Sequence, residues 1–309
     1  MKLFLLGRRA SITHWLEEAA QAFRADGHEV RVGIVRDPRL HPGLQRALTQ
    51  PIAVAIAARV ARFEPDLVLA VGGLHVPAPI LERIAALPAR PPLVGWVGDA
   101  FNEDARAAAA LYDLIAYTDT GLVERHRELA FAARAAFAAH GVDPHASVPA
   151  AERAHRMVFV ALPTPARRAV VAAVTSPLAL YGAGWTDVGG HEVHAGRLPA
   201  RKLLEVYAGH LASLNIRNEV NVLTGLNQRN FQPYLAATPL VTDDQPDLPL
   251  CFEPGREALV WRDADELNDL YARLLRAPDE AAAIGEAGRR RVLAEHTYGQ
   301  RLAAIAKLV

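Results

Sequence analysis

The sequence is poor in several things, and each shortage excludes something. One cysteine, Cys251, occurs in 309 residues. No internal disulfide can form, and a reducing compartment follows most simply. Neither sign of charge is in excess, since Lys+Arg and Asp+Glu both number 34. That balance argues against a nucleic-acid binder, which carries a basic surplus, yet leaves room for a local basic pocket. The opening MKLFLLGRRA offers only four consecutive apolar residues before Gly7. A signal peptide needs a longer apolar core, so this segment reads as a first buried strand. The longest apolar stretch, 169–185, is interrupted by Thr, Ser, Pro and Gly. It lacks the roughly 20 clean apolar residues of a membrane span. The expectation is a soluble, cytoplasmic protein with no transmembrane segment.

What is present suits a globular α/β protein. Chains of this length often split into two domains. Apolar runs at 2–6, 30–35, 66–71, 92–97 and 113–117 read as strands. Helical spacing fills 14–25, 52–63, 79–87 and 121–129 between or after them. Such alternation implies parallel strands with crossover helices. Runs that are apolar throughout, such as DLVLAV, suit a sheet covered on both faces. Residues 140–155 are turn-rich and without period, and read as a linker. The alternation then restarts, with strands at 157–161, 178–181, 212–216, 240–243 and 258–261. Helices are expected at 164–174, 198–208, 228–237, 264–275, 281–295 and 298–308.

Ligands of open α/β sheets gather outside the carboxyl ends of the strands. In the second half those ends carry Gly182, Gly184 and Trp185, then Asn215 and Asn218, then Gly225, Asn227, Arg229, Asn230 and Gln232, then Asp243 and Asp244. Gly225 permits close backbone approach. A helix expected to begin near Asn227 or Gln228 would aim its free N–H groups and positive end at this rim. Arg229 adds a fork of charged donors. Together these suit a phosphate or diphosphate. Pro233 must then lie in the first turn, because deeper in a helix it costs about 3 kcal/mol. Asn227, Asn230 and Gln232 suit sugar hydroxyls. The plainer reading of the asparagines is as caps and turn formers. Gly182-Ala183-Gly184 lacks the third glycine of a dinucleotide fingerprint and reads equally as a strand-to-helix turn. Cys251, in an apolar setting, reads as an inert buried thiol.

The stretch GLNQRNFQPYLAATPLVTDDQPDLPLCFEPGREALVWRDADEL, 225–267, resembles the donor-binding half of CgeB-like glycosyltransferases, within the two-domain GT-B group. The matching positions are Gly225, Leu226, Asn227, Arg229, Phe231, Thr242, Asp243, Phe252, Pro254, Gly255 and Glu257. LYGAGW at 180–185 and RRRVLAEHTY at 289–298 fit the same pattern. The resemblance implies two Rossmann-like domains facing across a cleft: 1–147 on the acceptor side and 156–297 binding the nucleotide sugar. It also implies that helix 298–309 packs back on the first domain. The implied activity is transfer of a hexose from a UDP- or dTDP-type donor to an unidentified acceptor. The nucleotide sugar serves as co-substrate, with no other cofactor and no metal. Asp99 and His75, at strand ends of the first half, are then the catalytic candidates. Either could act as base in an inverting reaction or orient the sugar in a retaining one. The plainer alternative makes Asp99 the cap of a helix at 102–111 and His75 a loop residue. Gly7, Arg8 and Arg9 could meet the donor phosphate or an acidic acceptor. The sequence departs from the pattern at Gln232, where a glutamate is usual, and at Ala236-Ala237, where Cys-Gly is usual. Thr224 and Gln232 also replace a pair of glutamates eight residues apart. Glutamine can still bond a ribose diol, without the charge. An epimerase on the same architecture, or a non-catalytic nucleotide-sugar binder, are the alternatives, and Gln232 favours the latter.

Overall fold

A computed structural model describes residues 1–8, 13–35, 42–148, 151–196 and 198–309. The chain separates into two compact units, Met1–Ala139 with Tyr298–Val309, and His140–Thr297.

The first unit contains β1 (Lys2–Arg8), α1 (Thr13–Ala25), β2 (Glu29–Val35), α2 (Pro42–Phe63), β3 (Leu67–Val71), α3 (Ala78–Ala85), β4 (Leu93–Val97), α4 (Arg106–Ala109), β5 (Leu114–Tyr117), α5 (Thr120–Glu128) and β6 (Arg134–Phe137). Its strands form one parallel sheet in the order β2-β1-β3-β4-β5-β6. β3 and β4 are buried at every position, as their unbroken apolar sequences require when both faces are covered. Val60, Ile80 and Ile84 cover one face, while Trp15, Leu16 and Phe23 cover the other. The turn after β3 depends on small residues. Gly72 takes φ 66°, and a Cβ on Gly73 would meet the Gly95 Cα at 2.8 Å. The chain therefore crosses hard against β4 before the 3-10 turn Gly73–His75.

The second unit contains β7 (Ala154–Val160), α6 (Pro165–Ala173), β8 (Ala179–Tyr181), β9 (Glu192–His194), α7 (Ala200–Ala208), β10 (His210–Asn215), β11 (Leu240–Asp243), β12 (Ala258–Trp261), α8 (Ala264–Arg276) and α9 (Pro278–Glu295). Its parallel sheet runs β12-β11-β10-β7-β8-β9. Met157, Phe159, Leu180, Leu214 and Val241 pack beneath Leu267, Tyr271 and Leu274 of α8. The last helix, α10 (Tyr298–Ala306), belongs to the first unit, where Tyr298, Leu302 and Ile305 are buried.

The helix expected over 228–237 is not formed. Two short 3-10 segments, Gln228–Asn230 and Gln232–Ala236, replace it. Pro233 has no N–H to donate and its ring excludes the carbonyl four residues back, so a helix cannot run through it. Instead it opens the second segment, which Ala237 ends with φ 49°. No helix macrodipole is therefore available at 227–230. The helix expected at 102–111 is likewise a 3-10 turn, Glu103–Ala105, followed by the four-residue α4. Among the described residues, no helix is long and apolar enough to cross a membrane.

Candidate functional site

β10 and β11 lie side by side with Asn215 opposite Thr242, so the ends of both strands deliver side chains to one place. Asn215 is fully buried and donates from Nδ2 to Thr242 Oγ1 at 3.1 Å. Thr242 donates to Asp243 Oδ1 at 3.2 Å. Gln245 Nε2 reaches the same hydroxyl and the same carboxylate, each at 2.9 Å. The backbone N–H of Arg217 donates to both Asp243 oxygens, at 3.1 and 3.2 Å. Burial pushes the Asp243 carboxyl above the usual carboxylate range, while bonds from Gln245 and Arg217 pull it back.

The asparagines ahead of Pro233 lock the loop into this network. Asn227 Oδ1 accepts from the Arg229 N–H at 2.9 Å, and Asn230 Oδ1 accepts from the Asn227 N–H at 3.0 Å. Asn227 Nδ2 donates to Asn215 Oδ1 at 3.3 Å, and Asn230 Nδ2 to Thr242 Oγ1 at 3.4 Å. This is a capping box, the plainer reading of these residues. It has a second effect, which is to set Arg229 beside the strand ends.

Three arginines gather here around one carboxylate. Arg217 Nε stands 3.9 Å from Asp243 Oδ2. Arg167, from the start of α6, is 3% exposed and donates from Nε and Nη2 to Ile216 O (3.1 and 3.0 Å) and from Nη1 to Leu162 O (3.1 Å). Burial, then the neighbouring Arg229 charge, push its pKa down to about 10, and Asp243 partly offsets them. Arg229 is held below the usual arginine range by burial, and its Nε is enclosed with no hydrogen-bond partner. Among the described residues, neither Arg167 nor Arg229 has a carboxylate at ion-pair distance. Burying a cation without a close ion pair is costly, and Asp243 is the carboxylate whose charge acts on both.

Other expected positions take different roles. Gly182 has φ 146°, and a Cβ there would meet Ala161 O at 2.3 Å. Gly184 has φ 90°. Trp185 is buried, donates to Ala161 O at 2.8 Å and stands edge-on to Phe159. Gly225 and Gln232 are buried, and Asn218 opens a turn by accepting the N–H groups of Asn221 and Val222. Asp244 leaves the network and pairs with Arg262 at 3.3 Å. Arg167, Arg217 and Gln245 were not among the sequence candidates. For Arg167 a signal existed, because it follows the capping Thr164 just beyond the first strand of the second unit.

In the first unit, the Gly72-Gly73 crossing brings His75 to the end of β4. His75 Nε2 stands 3.4 Å from Asp99 Oδ2. Asn102, and not Asp99, caps the following turn by accepting the Asp104 N–H at 3.0 Å. Both His75 and Asp99 line a cavity of about 390 Å³ with Phe101, Asn102 and Asp104. Gly7 lies where a Cβ would meet Leu16 Cδ2 at 2.8 Å, so it permits α1 to close on β1. Arg8 ends β1, and Arg9 lies outside the described residues.

Residues 165–307 match a family model described as glycosyl transferase-like. No curated protein sequence matches the chain. Among solved structures, it is similar to Anabaena HepE in complex with UDP-glucose, at 12% identity over 100% of this chain and 99% of that one, TM-score 0.68. It is also similar to sucrose-phosphate synthase from Thermosynechococcus elongatus, at 13% identity over 100% and 98%, TM-score 0.70. OtsA in its apo form matches at 10% identity over 100% and 99%, TM-score 0.66. The fold is that of the GT-B glycosyltransferases, two parallel six-stranded sheets with interleaved helices.

Proposed function

We propose that this protein transfers a hexose from a nucleotide diphosphate-sugar to a hydroxyl acceptor. The observation that carries the reading is the cluster of Arg167, Arg217 and Arg229 around the single carboxylate of Asp243, at the carboxyl ends of β7, β10 and β11. A diphosphate supplies the missing negative charge. The glycosyl transferase-like match over 165–307 includes all four residues, and one structural neighbour holds UDP-glucose, which supports a UDP-type donor.

In this reading the bond between the anomeric carbon and the diphosphate oxygen breaks, and its electron pair leaves with the diphosphate. The acceptor oxygen forms the new bond to that carbon. Arg229 and Arg167 stabilise the charge that builds on the leaving group, from buried and partly buried positions where such contacts are stronger than in water. Asn215, Asn227, Asn230, Thr242 and Gln245 hold the frame, and Gln232 takes the place of the ribose ligand with neutral donors and acceptors. Asp99 and His75 handle the acceptor hydroxyl. The arginines do the electrostatic work that a metal does elsewhere, so transfer proceeds in EDTA. The CgeB-like pattern at 225–257 and the single, buried Cys251 fit a cytoplasmic enzyme of that subgroup.

The test is a titration of the intact chain with UDP, dTDP, GDP and UDP-glucose. A diphosphate is expected to raise the melting temperature, by roughly 2.7 kcal/mol of linkage at a hundredfold excess over Kd, and Arg229→Ala to abolish the rise. Absence of any nucleotide effect overturns the reading. The buried amide Gln232 favours a second reading, a binder without turnover. Nucleotide binding with no release of UDP across an acceptor panel would establish it.

A further inference from the structure

The turn that carries His75 is made of residues that do little to fix it. Gly72 and Gly73 follow β3 in succession, and glycine gives up more backbone freedom on ordering than any other residue. Gly72 stands in the left-handed region at φ 66°. Two backbone bonds close the turn, from the His75 N–H to Gly72 O at 2.9 Å and from the Val76 N–H to Gly73 O at 3.1 Å. A side chain from elsewhere in the first unit ties it as well. Tyr112, just ahead of β5, donates from its buried hydroxyl to Gly73 O at 2.7 Å. Its ring fills a slot that two glycines leave open. A Cβ on Gly95 would stand 3.5 Å from the ring, and one on Gly73 would stand 3.1 Å from the hydroxyl oxygen. Gly73, Gly95 and Tyr112 are thus one packing unit, drawn from the turn after β3, from β4 and from the approach to β5. Burial pushes the Tyr112 phenol above its usual range, so the hydroxyl stays a donor at any working pH.

The hydroxyl is not needed to satisfy Gly73 O, which the Val76 N–H already serves. Nor is it needed to fill the slot, which the ring does. What it adds is a fixed direction for the carbonyl two residues before His75, whose Nε2 stands 3.4 Å from Asp99 Oδ2. Resting on the transferase reading above, in which His75 and Asp99 handle the acceptor hydroxyl, we propose that Tyr112 is a positioning residue for transfer: its hydroxyl fixes the Gly72–His75 turn and so sets the imidazole against Asp99. It acts through His75 and touches no substrate.

Tyr112→Phe keeps the ring and removes the tie. UDP release from UDP-glucose, with the best acceptor of the panel, is measured for wild type, Tyr112→Phe, His75→Gln and the double variant. Tyr112→Phe is expected to lower kcat about tenfold, the order of one hydrogen bond, and to leave the KM for UDP-glucose unchanged. In the His75→Gln background the same substitution should cost nothing further, because residues that act as one unit are not additive. Amide exchange at His75 and Val76 should quicken in Tyr112→Phe, while UDP raises the melting temperature of that variant as it does for wild type and so reports that it is folded. Wild-type kcat in Tyr112→Phe or in His75→Gln overturns the role and leaves the donor reading standing. So does an equal loss on Tyr112→Phe in both His75 backgrounds, which is what a merely structural tyrosine would give. Wild-type protein that binds UDP-glucose without releasing UDP overturns the transfer reading, and the role with it.

Discussion

Arg229 and Arg167 look alike in sequence but do opposite things for stability. Arg167 spends its donors on the carbonyls of Ile216 and Leu162. Replacing it with methionine leaves those acceptors unpaired, at about 1–3 kcal/mol, and urea unfolding should show the loss. Arg229 has an enclosed Nε without a partner and, among the described residues, no carboxylate at ion-pair distance, with Asp243 acting on it only from further away. Arg229→Met should therefore raise the unfolding free energy of the free protein by about 1 kcal/mol while removing UDP binding; a destabilised free protein would refute the assignment of a stored charge. Arg229 was legible because it sits among Gly225, Asn227 and Asn230. Arg167 had only the capping Thr164 ahead of it as a local signal, and only the β10-β7 neighbourhood carries it to the same rim, 62 positions away in the chain. His126 gives the pH dependence at this scale. Its Nδ1 is 2.9 Å from the Tyr117 hydroxyl and its Nε2 2.8 Å from Ala133 O, partners that suit the neutral ring. Burial lowers its pKa below the ordinary 6.5. The unfolded chain then binds the proton more readily, so stability is full above pH 6.5 and falls as the pH drops from there toward the folded pKa. The urea midpoint should decline between pH 7 and 5, and His126→Gln should flatten that slope.

At the scale of elements, the buried strands were readable and the edges were not. LVLAV and LVGWV announce themselves by being apolar at every position. β6 (RAAF) and β9 (EVH) are sheet edges, short and largely exposed, so no apolar pattern marks them. The 228–237 segment misled because its apolar spacing is helical while Pro233 forbids the hydrogen bond that a helix needs there. Its 3-10 replacement survives because α9 presents bare backbone to it. A Cβ on Gly285 would stand 2.0 Å from Ala237 O, and one on Gly288 would stand 2.0 Å from Tyr234 Cε1. Alanine in a helix gains about 1 kcal/mol over glycine, whereas overpacking costs about 1–3 kcal/mol. At Gly285 the obstacle is a backbone carbonyl that cannot rotate away, so the clash wins. Gly285→Ala should destabilise the second unit in urea and weaken UDP binding, since the displaced segment carries Gln232; a neutral or stabilising effect would show that α9 does not set its position.

The whole molecule is one α/β unit interrupted by another, whereas the restart of the alternation after 140–155 reads in the sequence as two units in series. What spacing alone did not carry was the return of the chain. Val142 and Thr297 form a parallel bridge, with the Val142 N–H donating to His296 O at 3.0 Å, so the outgoing and returning strands of chain run side by side. α10 then completes the first core. Tyr298 stands edge-on to Trp96 at 6.1 Å and to Phe23 at 6.3 Å, and Leu302 and Ile305 fill the same cluster. Burying three such side chains contributes about 1.5–3 kcal/mol each, which together approaches the whole stability of an ordinary domain, about 5–15 kcal/mol. A chain ending at Ala139 is therefore expected to lack a cooperative urea transition and the near-ultraviolet dichroism of Trp15 and Trp96. Joining Ala139 to Tyr298 through a short Gly/Ser linker should restore both, because the two crossings already lie together. If 1–139 folds cooperatively by itself, α10 is an accessory to the first unit and not part of its core.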